Sequence, residues 1–177
     1  SLSKLEKECP LAHEFLQLSA YLSPSQIDGS LIALWLKNGE RSPHLRGEII
    51  RSMERLSLGR FDGGKLLIHR LLQKVVEKTQ GKAAQNFFLK ALSLLEKGVE
   101  SFDEDYLSNW KSCESFFLNA LVLTEHSWWE TSASEGGELC FQLRLWLSNV
   151  KGEPKRALSY GEMAETRLKE KYGVGSA

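Results

Sequence analysis

The 177-residue chain is 42% apolar and carries 23 basic and 23 acidic residues. That is enough for one ordinary domain or two small ones with a real core. The balanced charge gives no global pull toward nucleic acid or membrane surfaces. No apolar run reaches the length of a membrane span, and no signal peptide is visible. Cys9, Cys113 and Cys140 are an odd, scattered set without a CxxC pair. They predict free, buried thiols in a reducing, cytoplasmic setting, and neither a zinc site nor a disulfide framework. The opening Ser1, without methionine, is what a segment of a longer protein would show.

The charge divides along the chain: residues 1–80 carry net +3 and residues 81–177 net −3. In chain order, Leu5 to Leu22 has apolar residues at Leu11, Phe15, Leu18 and Leu22, a helical stripe with Pro10 in its first turn. Ser23-Pro24-Ser25 breaks it. Ser25 is placed to cap a second helix with Ile27, Leu31, Leu34 and Trp35 on one face, ended by Gly39. Ser42-Pro43 opens a third, with Leu45, Ile49, Ile50, Met53 and Leu56 inward. Two short strands, Leu58–Phe61 and Lys65–His69, follow around an Asp62-Gly63-Gly64 turn that tolerates positive φ. Leu71 to Thr79 returns to helix. Three helices followed by a hairpin is a winged-helix arrangement.

Only helices are expected beyond Gly81. Ala83–Gly98 is strongly periodic, Phe102–Asp105 reads as a polar linker, and Asp105–Leu123 is a further helix. Ser134-Glu135-Gly136-Gly137 marks a loop or a helix start. Glu138–Asn149 and Pro154–Lys171 flank a Lys151-Gly152-Glu153 turn as an αα-hairpin. The predicted fold class is therefore mainly α: a winged-helix domain over 1–80, a helical linker over 81–133 and a helical hairpin over 134–177.

That hairpin resembles a single tetratricopeptide repeat. Ala157 and Ala164 match two of the small positions at the helix crossing, and Gly152 lies in the turn. Gly161 stands where an aromatic is usual, and Leu145 where a small residue is usual, so the repeat is degenerate or capping. The first 80 residues resemble the winged-helix domain of STAND-class nucleotide switches, also called NB-ARC or AP-ATPase proteins. Two segments carry this: Ala20-Tyr21-Leu22-Ser23-Pro24-Ser25-Gln26-Ile27 and Leu67-Ile68-His69-Arg70-Leu71-Leu72-Gln73. Asn109-Trp110-Lys111-Ser112-Cys113 is similar to a motif of the linker that leads into their repeats.

The resemblance implies a protein that holds ADP when closed and ATP when open and oligomeric, with uses in apoptosis, innate immunity and signal-responsive transcription. It puts one contact, to the ADP β-phosphate, on His69. The acid that follows this histidine in part of the family is Arg70 here, which leaves that acid's role without a residue. The implied partners are an upstream nucleotide-binding domain, downstream repeats, and a protein or peptide ligand of those repeats.

The plainer reading of His69 is a strand-end histidine bonded to local backbone. No Gly-x-x-x-x-Gly-Lys-Ser/Thr loop exists in the chain, so it is not expected to bind ATP or ADP by itself. No nucleophile–base constellation can be assembled by spacing, and no catalysis is expected. Two other classes stay open. One is a protein-binding adaptor or scaffold without a switch. The other is a winged-helix DNA-binding regulator, for which Arg46, Arg51, Arg55 and Arg60 against Glu48 and Glu54 give a weak footprint. His13, His44 and His126 are too scattered to ligate a metal. Trp128-Trp129 is expected to form core rather than an interface.

Overall fold

The computed structural model describes residues 2–100 and 110–173; the side chains of Trp110, Lys111 and Ser112 are left aside. The expected Phe102–Asp105 linker, the start of the helix after it, and Asn109 lie outside the described residues. The fold is mainly helical with one small three-stranded sheet. The chain forms two compact units, Ser1–Leu94 and Leu95–Ala177.

The first unit opens with two helices rather than one: α1 (Leu2–Glu8) and α2 (Pro10–Ser19). The break falls at Cys9 (φ −148°, ψ 81°), because a residue before proline is pushed out of helical geometry. Phe15, Leu16 and Leu18 of α2 are buried, and Phe15 meets Trp35 edge-on at 5.1 Å. Ile27, expected on a helix, instead forms β1 (Ile27–Asp28). The cap of α3 (Gly29–Asn38) is therefore Asp28 and not Ser25, its carboxylate accepting from the Leu31 N–H at 2.9 Å. At the far end of α3 the left-handed residue is Glu40 (φ 55°), with Gly39 one place earlier. Ser42 caps a 3-10 turn over Pro43–Leu45, which leads into α4 (Arg46–Arg55).

Helix α4 closes in a Schellman motif. The Ser57 N–H donates to Glu54 O and the Leu58 N–H to Met53 O, both at 2.9 Å, with Ser57 left-handed (φ 55°). That draws Leu58 out of the strand expected to contain it. The hairpin is β2 (Arg60–Asp62) and β3 (Lys65–Leu67) around Gly63 (φ 55°) and Gly64 (φ 82°), the double positive φ of a type I′ turn. The sheet order is β1-β3-β2, all antiparallel, with Leu66 facing Ile27 on one side and Phe61 on the other. Strand β3 stops two residues earlier than expected. The Ile68 N–H turns to Pro24 O at 2.9 Å, and His69 becomes the cap of α5 (Arg70–Thr79).

A polar seam ties α5 to the end of α2. Gln73, buried, donates both amide hydrogens, to Ser19 O at 2.7 Å and Leu22 O at 2.9 Å. Gln80 donates to Gln17 O at 2.7 Å. The Tyr21 hydroxyl lies 2.5 Å from Gln80 Oε1 and 2.9 Å from Ala84 O. Burial, then the nearby Glu77 charge, pushes the Tyr21 phenol well above its ordinary range. The division between the units falls inside α6 (Ala84–Val99).

The second unit contains the end of α6, then α7 (Trp110–Thr124), α8 (Ser127–Thr131), α9 (Gly137–Asn149) and α10 (Pro154–Tyr172). The last two match the expected hairpin closely. Phe117 stacks on Trp146 at 4.9 Å, and Thr124 Oγ1 meets the Tyr160 hydroxyl at 2.9 Å. A Cβ on Gly98 would lie 2.0 Å from the Phe116 ring, so α6 and α7 can meet there only across a glycine. Gly98→Ala should therefore destabilise the protein by about 1–3 kcal/mol despite alanine's higher helix propensity. Urea unfolding tests this, and an unchanged or raised midpoint would show that the contact is not tight.

Candidate functional site

His69 stands at the start of α5 with extended backbone (φ −64°, ψ 131°), and its side chain is exposed. Nδ1 accepts a hydrogen bond from the Leu71 N–H at 3.2 Å. A nitrogen that accepts carries no proton, so the neutral ring holds its hydrogen on Nε2. A doubly protonated ring could not accept at all and would lose the cap. The local-backbone reading of His69 is therefore realised as an N-cap, and it leaves an Nε2–H donor outside the cap. His126 repeats the device at α8, its Nδ1 accepting from the Trp128 N–H at 3.1 Å.

His69 lines an open groove of about 640 Å³ together with Leu58, Leu67, Leu72, Glu54 and Arg60. Glu54 is engaged, accepting from the Phe61 N–H at 2.9 Å. Arg60 pairs with Asp62 at 3.1 Å, but both are well exposed, and such a pair is worth at most about 1 kcal/mol. The guanidinium is thus readily redirected to another anion. The groove offers one imidazole N–H and one loosely held cation.

The remaining sequence candidates do not converge on this groove. His13 Nε2 is 3.0 Å from Gln17 Nε2, one turn along α2, and His44 is exposed beside the Ser42 cap. Among the described residues no group of His, Cys, Asp and Glu could hold a metal ion. Of the α4 arginines, Arg55 pairs with Glu8 at 2.8 Å, and the Arg46 stem and guanidinium lie against Gly29. Cys9, Cys113 and Cys140 are all free and buried. Burial pushes the Cys140 thiol up to about 12, so it is inert at neutral pH.

Trp129 is buried, and Arg167, itself buried, lies over its ring at 3.8 Å. Arg167 donates to the carbonyls of Trp129 (2.8 Å), Ser132 (2.7 Å) and Glu135 (2.9 Å), and burial lowers its pKa. It stitches the loop after α8 and is not offered to a ligand. Glu96 is half-buried, with Oε1 unpartnered among the described residues. Burial raises its carboxyl; Lys171 opposes this, while Glu135 and Glu138 reinforce it.

Two features carried signals that went unread in the sequence. Gln73 and Val76 form an inward row of α5 that half-buried Gln80 continues at its C-cap, and a glutamine on a buried row must find partners. Arg167 continues the buried row Ala157, Tyr160, Ala164 of α10, where a cation needs the same explanation.

No family model, curated protein or solved structure matches this chain.

The cap makes a separable prediction. His69→Ala should cost about 1 kcal/mol, and His69→Asp, whose carboxylate also caps, should cost little or nothing. Thermal unfolding of the two variants checks this. Equal stability of both with the original chain would mean that the Leu71 N–H gains nothing from the ring.

Proposed function

We propose that this chain is the regulatory segment of a STAND-type ATPase switch. It would couple a repeat sensor to the nucleotide state and oligomerisation of an NB-ARC domain elsewhere in the same protein. The observation that carries the proposal is the Nε2–H of His69, presented from a helix cap in an open groove beside Arg60. A hydrogen bond to an ionised phosphate oxygen is worth about 1.5–3 kcal/mol. That matches the coupling of about 1–3 kcal/mol by which two-state switches operate. ADP is the cofactor of the whole protein in this reading, and His69 its contact from this segment.

The element order supports the winged-helix half of the proposal. Helix, short strand, two helices and a hairpin run in sequence, with the first strand pairing to the last. The tetratricopeptide-like half is supported by α9 and α10 around Gly152, with Ala157 and Ala164 buried. Gly161 replaces the usual aromatic and lies beneath Arg144; a Cβ there would sit 2.9 Å from Arg144 Cδ. Exposed Leu158 leaves α10 with apolar surface that a following repeat would cover. An adaptor without a switch is the second reading, favoured by the same exposed Leu158. A DNA regulator has less support, because Arg55 pairs with Glu8 and Arg46 lies against Gly29, which thins the basic face of α4.

Nucleotide content decides between switch and adaptor. In the intact protein, His69→Ala and His69→Asp both lose the Nε2–H, and only the second keeps the cap. Loss of co-purifying ADP in both, with a shift toward the assembled state, is expected. Undiminished ADP in both would rule out the role of His69.

A further inference from the structure

Helix α5 shows solvent a face built for a partner. Leu71 is 65% exposed and Val75 51%, one turn apart on the same side. Half-buried Leu72 continues this apolar strip into the groove walled by Leu58 and Leu67. Beside the strip runs a second row at four-residue spacing: Arg70, Lys74 and Lys78, all exposed. Among the described residues none of these three cations forms an ion pair. Like charges four apart on a helix repel, so the row is held at a local cost. The single acid of α5, Glu77, is half-buried, and its charge acts on Tyr21.

An apolar strip flanked on one side by three unpaired cations has a definite complement. The geometry points to an acidic amphipathic helix of a partner protein as the occupant. Its leucine-like residues at i, i+3 and i+4 would cover Leu71 and Val75 and enter the groove at Leu72. Its flanking carboxylates would meet Arg70, Lys74 and Lys78. Because the cations lie on one side only, they also set the orientation of the bound helix. A membrane surface is a poorer complement: interfacial helices bury a long apolar face, and here only two apolar side chains protrude from a ten-residue helix locked on its other side by Gln73. Nucleic acid would use the cations but leave Leu71 and Val75 uncovered. The surface adjoins the groove that His69 also lines, but docking on it does not depend on the nucleotide role proposed for His69.

The probe is a fluorescein-labelled designed helix with leucines at every third and fourth position and glutamates along one flank, titrated with the full chain. Saturable, salt-sensitive binding is expected. Lys74→Glu with Lys78→Glu should weaken it at least about tenfold, and Leu71→Ser with Val75→Ser by a similar factor. All four positions are exposed, and Lys74→Gln with Lys78→Gln provides a milder charge variant that should give an intermediate loss. A scrambled peptide of the same composition, lacking the strip, should bind far more weakly. The proposal is overturned by absent binding, by equal binding of the scrambled peptide, or by binding that survives both double variants. Tighter binding through the same residues to phosphatidylserine vesicles or to a DNA duplex would overturn it as well.

Discussion

A buried side-chain amide at the end of α2 sets the geometry on which the first unit depends. A helix leaves its last carbonyls without intrahelical partners, and α2 ends at Ser19 inside the core. Gln73 takes Ser19 O and Leu22 O, and Gln80 takes Gln17 O, from the inward face of α5. Both amide hydrogens of Gln73 are used, so its rotamer and the position of α5 are fixed together. The start of α5 then places the His69 cap in the groove, and its opposite face carries Leu71, Val75 and the cationic row. A buried carbonyl left without a donor costs about 1–3 kcal/mol, so the seam contributes both stability and position.

The second unit solves the same problem with a cation. The short α8 ends at Thr131, and its last turn and the loop beyond it present the Trp129, Ser132 and Glu135 carbonyls to Arg167. Arg167 accepts the cost of burial without a carboxylate and is compensated by three carbonyls and the Trp129 ring. A long polar side chain on a buried helical row stitches an interrupted segment in both units. Neither is available for ligand chemistry, which leaves the exposed residues around α5 as the reactive part of the first unit.

The parts of the fold with strong local signals were legible in the sequence. Asp62-Gly63-Gly64 announced the hairpin because two successive positive φ values suit few other residues. The periodic rows of α6, α9 and α10 announced those helices to within a residue or two. Features decided by tertiary context were not. Pro10 looked tolerable in a first turn, but its effect on Cys9 split the helix. Strand β1 is two residues long and exists only because β3 has a free edge to receive it. With Ile27 taken by that strand, the cap moved from Ser25 to Asp28. Helix α8, five residues long, has no periodicity to detect. His69 was visible as a polar residue ending an apolar strand, but which of its nitrogens caps the helix required coordinates. The cationic row of α5 was present in the spacing, yet its meaning depended on knowing that no acid among the described residues pairs with it.

The most direct test of the central claim is amide hydrogen exchange across α5 in a Gln73→Met variant, which keeps the side chain's length and removes its two donors. With the Leu22 carbonyl orphaned and Ser19 O left with the Leu22 N–H alone, α5 amides should lose protection, and the protein should lose about 1–3 kcal/mol of stability. Protection of α5 and an unfolding midpoint unchanged from those of the original chain would contradict it, because α5 would then be positioned by apolar packing alone.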